Sequence, residues 1–261
     1  AKTDLDWDGS VEIVALGAVS FGAWRVLCER FGVRATAFAG HSYGELVALA
    51  AAERFAPPDL FHLSRLRGRL MGERRPGDPG TMLAVLAPLA AIEGVIAEHK
   101  LDVVVANRNG PKQSVVSGAT PEIDRAQQAF AAARMKSVRL PVAAAFHSPL
   151  VADAAAPFLA ALEGVEFGRG TVPVYANTTA EPYPADPREA RTLLAEQLAK
   201  PVAFADQIRN MIAAGVRTFL EVGPGSVLTR LVEAILAEWP VPDLTAFALD
   251  SSGGKRPGAL D

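Results

Sequence analysis

Residues 40–44 read Gly-His-Ser-Tyr-Gly, with an apolar run of strand length before them (35–39) and a helical pattern after them (45–52). Few folds accommodate that order. A tight turn between strand and helix strains the serine backbone and lifts its hydroxyl clear of the sheet. Gly40 and Gly44 allow strand and helix to approach closely. The Tyr43 amide, at the helix start, can point at a developing oxyanion. Gly-x-Ser-x-Gly also arises by accident in loops; the flanking strand and helix favour a nucleophile at Ser42.

The remaining pattern alternates strands and helices. A helix is expected over 14–31, closed by Gly32, and another over 61–71, followed by an Arg-rich linker at 74–77. Next come a strand (82–86), a helix (90–99), two strands (103–106, 114–117) around an Asn109-Gly110-Pro111 turn, a helix (121–134) and a strand (138–142). This β-α-β-β-α-β order is that of a ferredoxin-like unit. It occupies 80–142 and splits a larger unit formed by 1–79 and 143–250. There the pattern resumes with a helix (150–162), a strand (172–176), helices (188–198, 204–214), a strand (218–222) and a helix (227–239). The expected class is α/β, with a mostly parallel sheet in the larger unit. Residues 251–261, rich in Gly, Ser and basic side chains, read as a linker or tail.

Composition narrows the function classes. The 261 residues suit one large domain or two coupled subdomains. With 50% hydrophobic and 21% charged residues, the chain is globular. A net charge of -3 argues against nucleic acid or an anionic membrane as partner. Cys28 is the sole cysteine, so no internal disulfide forms, which suits a reducing cytoplasm. No uninterrupted apolar run approaches the roughly 20 residues of a membrane span, and the acidic start is no signal peptide. No metal-ligand cluster is visible.

A serine nucleophile needs a base, and four histidines compete. His41 adjoins Ser42 and reads as a packing residue; His62 lies in a helix and His99 at the polar end of another. His147 precedes Ser148-Pro149, an N-cap followed by proline at the first helical position. That places it at a strand-to-helix edge, where site residues of α/β folds gather. The residues alone leave its role as base open.

The segments Gly40–Glu45, Arg67-Gly68-Arg69-Leu70-Met71, 106–111, Phe146-His147-Ser148-Pro149, 197–202 and 219–225 resemble the malonyl-CoA:acyl carrier protein transacylase family. That family includes the acyltransferase domains of type I polyketide synthases. Tyr43 and 174–183 look most like domains of iterative, enediyne-type synthases. The resemblance implies an α/β-hydrolase-like large subdomain with an inserted ferredoxin-like small one. It implies Ser42 as nucleophile, His147 as base, and the main-chain carbonyl of Gln197 as orienter of the imidazole, so that Asp59, Asp78, Asp102 and Asp124 need not complete a triad. On composition, Arg67 reads as a solvated helix arginine like Arg65 and Arg69. The family's spacing from the serine instead makes it the binder of the malonyl carboxylate, by two parallel hydrogen bonds. Phe146 occupies the space a methyl branch would need, which favours malonyl. Ala144 departs from the family pattern, and one methyl group is worth only ~1–3 kcal/mol of discrimination.

The implied partners are malonyl-CoA as the thioester substrate, an acyl carrier protein and neighbouring synthase domains, with no bound cofactor. A Gly-Gln-Gly turn, whose glutamine amide is the family's second oxyanion donor, has no counterpart here. A slower enzyme is therefore expected, since one such donor is worth ~10²–10³ in rate. Two rival readings remain: a thioester hydrolase using the same Ser-His pair, and a catalytically weakened docking domain.

Overall fold

The computed structural model describes residues 10–72, 77–239, 241–250 and 252. The acidic start, most of the 74–77 linker and nearly all of the 251–261 tail lie outside the described residues.

Helix α1 (Ser10–Phe31) opens the large subdomain. Gly32, at φ +66°, closes it: Gly32 N–H bonds Cys28 O and Val33 N–H bonds Leu27 O. Strand β1 (Phe38–Ala39) leads through the Ser42 turn into α2 (Gly44–Ala51), and α3 (Pro57–Gly72) follows. The small subdomain comprises β2 (Thr81–Leu86), α4 (Leu89–Glu98), β3 (Val103–Gly110), β4 (Gln113–Gly118), α5 (Thr120–Ala132) and β5 (Lys136–Arg139). Its antiparallel sheet runs β3-β4-β2-β5, over a core of Leu83, Ile92, Val116, Ile123 and Phe130. A 3₁₀ turn (Pro149–Ala154) then enters α6 (Ala155–Glu163). It is followed by β6 (Val174–Tyr175), α7 (Pro187–Glu196), α8 (Phe204–Ala213), β7 (Thr218–Glu221), α9 (Val227–Leu236) and β8 (Thr245–Ala248). The Asp186 carboxylate caps α7, accepting from Arg188 N and Glu189 N, with Pro187 in the first turn.

The class is α/β, an α/β-hydrolase-like large subdomain with a ferredoxin-like small one. The large subdomain's strands form two parallel pairs, β1-β6 and β7-β8, rather than one continuous sheet among the described residues. Between the pairs lies a cavity of about 980 Å³, lined in part by Leu16, Trp24, Phe38, Leu220 and Phe247. Several boundaries differ from the sequence reading. The strand expected over 35–39 shrinks to two residues because β6, its one partner, is equally short. Strand β8 went unread; it gains its place by pairing with β7, a non-local match.

Helix α1 adds to the reading of apolar runs, which holds as stated because Glu12, Arg25, Glu29 and Arg30 interrupt this one. Val11–Phe31 is nevertheless long and apolar enough to cross a membrane by length and composition, with an 18-residue stretch of mean hydropathy 1.6. In the fold it packs on α2 and α3, with Gly17 close against the Tyr43 hydroxyl and Phe21 in the main core, while Val11, Val19, Val26 and Phe31 stay exposed.

Candidate active site

The turn after β1 sets the position of Ser42. A Cβ at Gly40 would overlap the Gly44 backbone, so only glycine fits where the chain doubles back. Gly44 carries no such constraint. Ser42 sits at φ +52°, a left-handed conformation costing a non-glycine residue about 1–3 kcal/mol. Both its main-chain polar groups are held: Ser42 N donates to Asn177 Oδ1 at 2.7 Å, and Ser42 O accepts from Gln197 Nε2 at 2.8 Å.

His147 lies in a turn, also at φ +56°, rather than at the end of a strand as expected. Chain 143–147 has no strand to pair with there; Ser148 instead caps the 3₁₀ turn, accepting from Leu150 N. The imidazole is buried, 2% exposed. Its Nδ1–H faces Gln197 O at 3.0 Å and Lys200 O at 3.1 Å. Two carbonyl acceptors fix the proton on Nδ1 and leave Nε2 as acceptor for Ser42 Oγ, 2.7 Å away. Burial, and then the Arg67 charge, push the pKa of His147 down to about 3. None of the four aspartates considered as triad members reaches the ring. Asp78 bonds Thr120 and Gly80 N, Asp124 pairs with Arg139, and Asp59 and Asp102 make no bond to His147.

Arg67 departs from its exposed neighbours Arg65 and Arg69. It is 3% exposed, on the inner face of α3. Its Nη2 donates to Ser42 Oγ at 3.2 Å, its Nε to Met71 Sδ at 3.4 Å, and its guanidinium lies over the Tyr43 ring. No carboxylate stands within ion-pair distance of it among the described residues. Burial lowers its pKa to about 10, so it remains a cation. The Tyr43 hydroxyl bonds Ser64 Oγ at 2.8 Å, which anchors the residue, while Tyr43 N–H has no acceptor among the described residues.

Phe146 is half-buried and packs against both the main core and the Met82, Ala106 and Val115 cluster, so it stands between the subdomains. Ala144 is buried two residues before it. His62 and His99 are exposed and distant in role. His41 does more than pack: it meets Phe204 edge-on, and its Nε2 lies 2.7 Å from Asn109 Oδ1 in the small subdomain.

Glu45, Asn177 and the side chain of Gln197 escaped the sequence reading. The Glu45 carboxylate is fully buried one turn after Ser42; it accepts from the Tyr183 hydroxyl and from Asn177 N. Burial raises its pKa to about 7, against the opposing effect of those bonds and the Arg67 charge. A glutamate directly following the elbow, in an otherwise apolar helix start, was the one signal for it.

Chemically, the arrangement gathers an imidazole of fixed tautomer, a main-chain amide with no acceptor and a buried cation around one serine hydroxyl, a set compatible with acyl-serine chemistry. The chain belongs to the acyl transferase domain family, which it matches over residues 9–249. It is 40% identical over 202 residues to the polyketide biosynthesis protein ThaF of Burkholderia thailandensis, a match spanning 77% of this chain and 17% of that protein. It is 35% identical over 202 residues to the malonyl CoA-acyl carrier protein transacylase of Bacillus subtilis, covering 76% of this chain and 63% of that one. The acyltransferase domain of the iterative polyketide synthase in enediyne biosynthesis superposes with a TM-score of 0.81 at 34% identity, covering 96% of this chain and 63% of that structure. The chain thus spans less than two thirds of these relatives' lengths.

Proposed function

We propose that this chain moves a malonyl group from malonyl-CoA through a Ser42 ester to the phosphopantetheine thiol of an acyl carrier protein, as part of a polyketide synthase working in the cytoplasm. The observation that carries the reading is the buried Arg67 guanidinium, 3.2 Å from Ser42 Oγ and with no carboxylate in ion-pair contact among the described residues, Glu45 acting on it only at longer range. A desolvated cation beside a nucleophile is costly unless an anion arrives to meet it, and malonyl brings one.

In the first half-reaction Ser42 Oγ attacks the thioester carbonyl and passes its proton to His147 Nε2. The carbonyl oxygen becomes an anion facing the Tyr43 N–H while Arg67 binds the malonyl carboxylate through two parallel bonds. The tetrahedral intermediate collapses, the C–S bond breaks, and the imidazolium returns the proton to the departing thiolate of coenzyme A. In the second half-reaction the carrier thiol gives its proton to His147 and attacks the ester. Ser42 leaves with that proton. The depressed pKa of His147 keeps the base neutral between the steps. Neither step needs a metal or a bound cofactor. The half-buried Phe146 between the subdomains supports a preference for an unbranched acyl group, and the small, buried Ala144 two residues before it belongs to the same reading.

Intact-protein mass spectrometry after addition of malonyl-CoA tests the reading. A malonyl adduct on Ser42, absent from Ser42→Ala and discharged by a carrier protein faster than by water, is the expected result. Discharge by water alone indicates a hydrolase, and no adduct indicates a docking role.

A further inference from the structure

We propose that the side-chain amides of Asn177 and Gln197 are positioning residues, a paired clamp that holds the Ser42 main chain so that Oγ stays in register with His147. The inference rests on Ser42 being the nucleophile. Ser42 occupies a left-handed conformation that a serine does not keep unaided. Its N–H is taken by Asn177 Oδ1 at 2.7 Å and its carbonyl by Gln197 Nε2 at 2.8 Å. The two amides also bond each other at 3.2 Å, and Asn177 Nδ2 donates to Gly40 O at 2.5 Å, across the base of the same turn. Gln197 thus touches the nucleophile with its side chain and the base with its main chain, at 3.0 Å from His147 Nδ1. One residue spans both members of the pair and sets their separation.

The residue types suit the task. Asn177 accepts from Ser42 N and Gln197 while donating to Gly40 and, at 3.4 Å, to Gln207 Oε1. A carboxamide offers both roles at once; a carboxylate or an alkyl group does not. Both side chains are almost wholly buried, at 0% and 1% exposure, so water cannot substitute for them. Behind them the Glu45 carboxylate accepts from Asn177 N and fixes that residue in turn.

The test is single-turnover malonylation of Ser42, followed by mass spectrometry across malonyl-CoA concentrations, for Gln197→Met, Asn177→Ala and the double variant. Each single substitution is expected to lower the maximum acylation rate about tenfold or more, as a small misplacement of reacting atoms does. The half-saturating concentration should stay unchanged. The double variant should lose less than the product of the single losses, because both groups hold one backbone unit. Gln197→Glu supplies a second readout. Its ionised carboxylate meets two acceptors, Ser42 O and Asn177 Oδ1, and should be slow; once protonated it donates again. Its acylation rate should therefore recover as pH falls, where the unaltered chain gains nothing. Glu45, Tyr183, Arg67, His41 and His147 are the ionisable groups around the pair, and they are common to both proteins. A changed half-saturation with an unchanged maximum rate, fully multiplicative losses, no recovery of Gln197→Glu, or variants that merely unfold would assign the amides to stability alone and overturn the clamp. An unaltered chain that takes no malonyl group on Ser42 fails the functional reading instead.

Discussion

Arg67 keeps its charge in a place where charge is expensive, and the α3 face that carries it turns away from solvent while Arg65 and Arg69 face out. If its partner is the substrate's carboxylate, Arg67→Met should lower kcat/KM for malonyl-CoA about 10- to 150-fold, the equivalent of roughly 1.5–3 kcal/mol of charge-assisted hydrogen bonding. Transfer from acetyl-CoA, which lacks that carboxylate, should change little; parallel kinetics with both thioesters measure the difference. Two titrations oppose each other behind the site. His147 ordinarily titrates at 6.5 and here at about 3, so between those values the unfolded chain binds a proton that the folded chain refuses. Its contribution to stability is lost as pH falls below 6.5. Glu45 goes the other way: from a usual 4.5 it rises to about 7, and its contribution, present below 4.5, is lost as pH rises through that window. Glu45→Gln removes the second slope. Its melting temperature should therefore climb more steeply with pH between the usual glutamate value and 6.5 than that of the unaltered chain, and a shallower climb in thermal scans contradicts the assignment.

At the scale of elements, the elbow and the helix ends were legible because they depend on neighbouring residues. Gly40 is needed where the turn doubles back, Gly32 ends α1, and Ser148-Pro149 starts the next helical stretch. The strands were less legible, since each owes its length to its partner. β1 keeps two residues, β8 exists through β7, and His147 ends in a turn because nothing pairs with 143–147. Strands β1, β7 and β8 line the cavity, and each has one strand partner among the described residues, which leaves it one open edge. Open edges of parallel strands accept a further strand. Supplying a strand-forming segment that ends in Gly-Gln-Gly beside these edges should therefore raise the transfer rate, by up to ~10²–10³ if its glutamine amide reaches the oxyanion. Transfer assays with and without the segment decide it, and equal rates sink the idea of a second donor there.

Across the whole molecule the subdomains meet along β3. Arg108 N donates to Val202 O and Val202 N to Ala106 O, each at 2.8 Å, while His41 and Asn109 join beside Ser42. Asn109→Ala should cost about 1–3 kcal/mol in urea unfolding, because it strands an imidazole nitrogen next to Phe204 away from water. A loss below a few tenths of a kcal/mol contradicts this role. The sequence by itself determined the elbow, the split α/β layout and the caps, all of which follow from periodicity and turn chemistry within a few residues. Only the tertiary structure decided which polar groups meet. His147, Asn177 and Gln197 lie 105, 135 and 155 residues from Ser42, and no local preference tells one buried amide from another. Packing brings them to the same turn, where burial makes each unpaired donor or acceptor too costly to leave and so selects the partners.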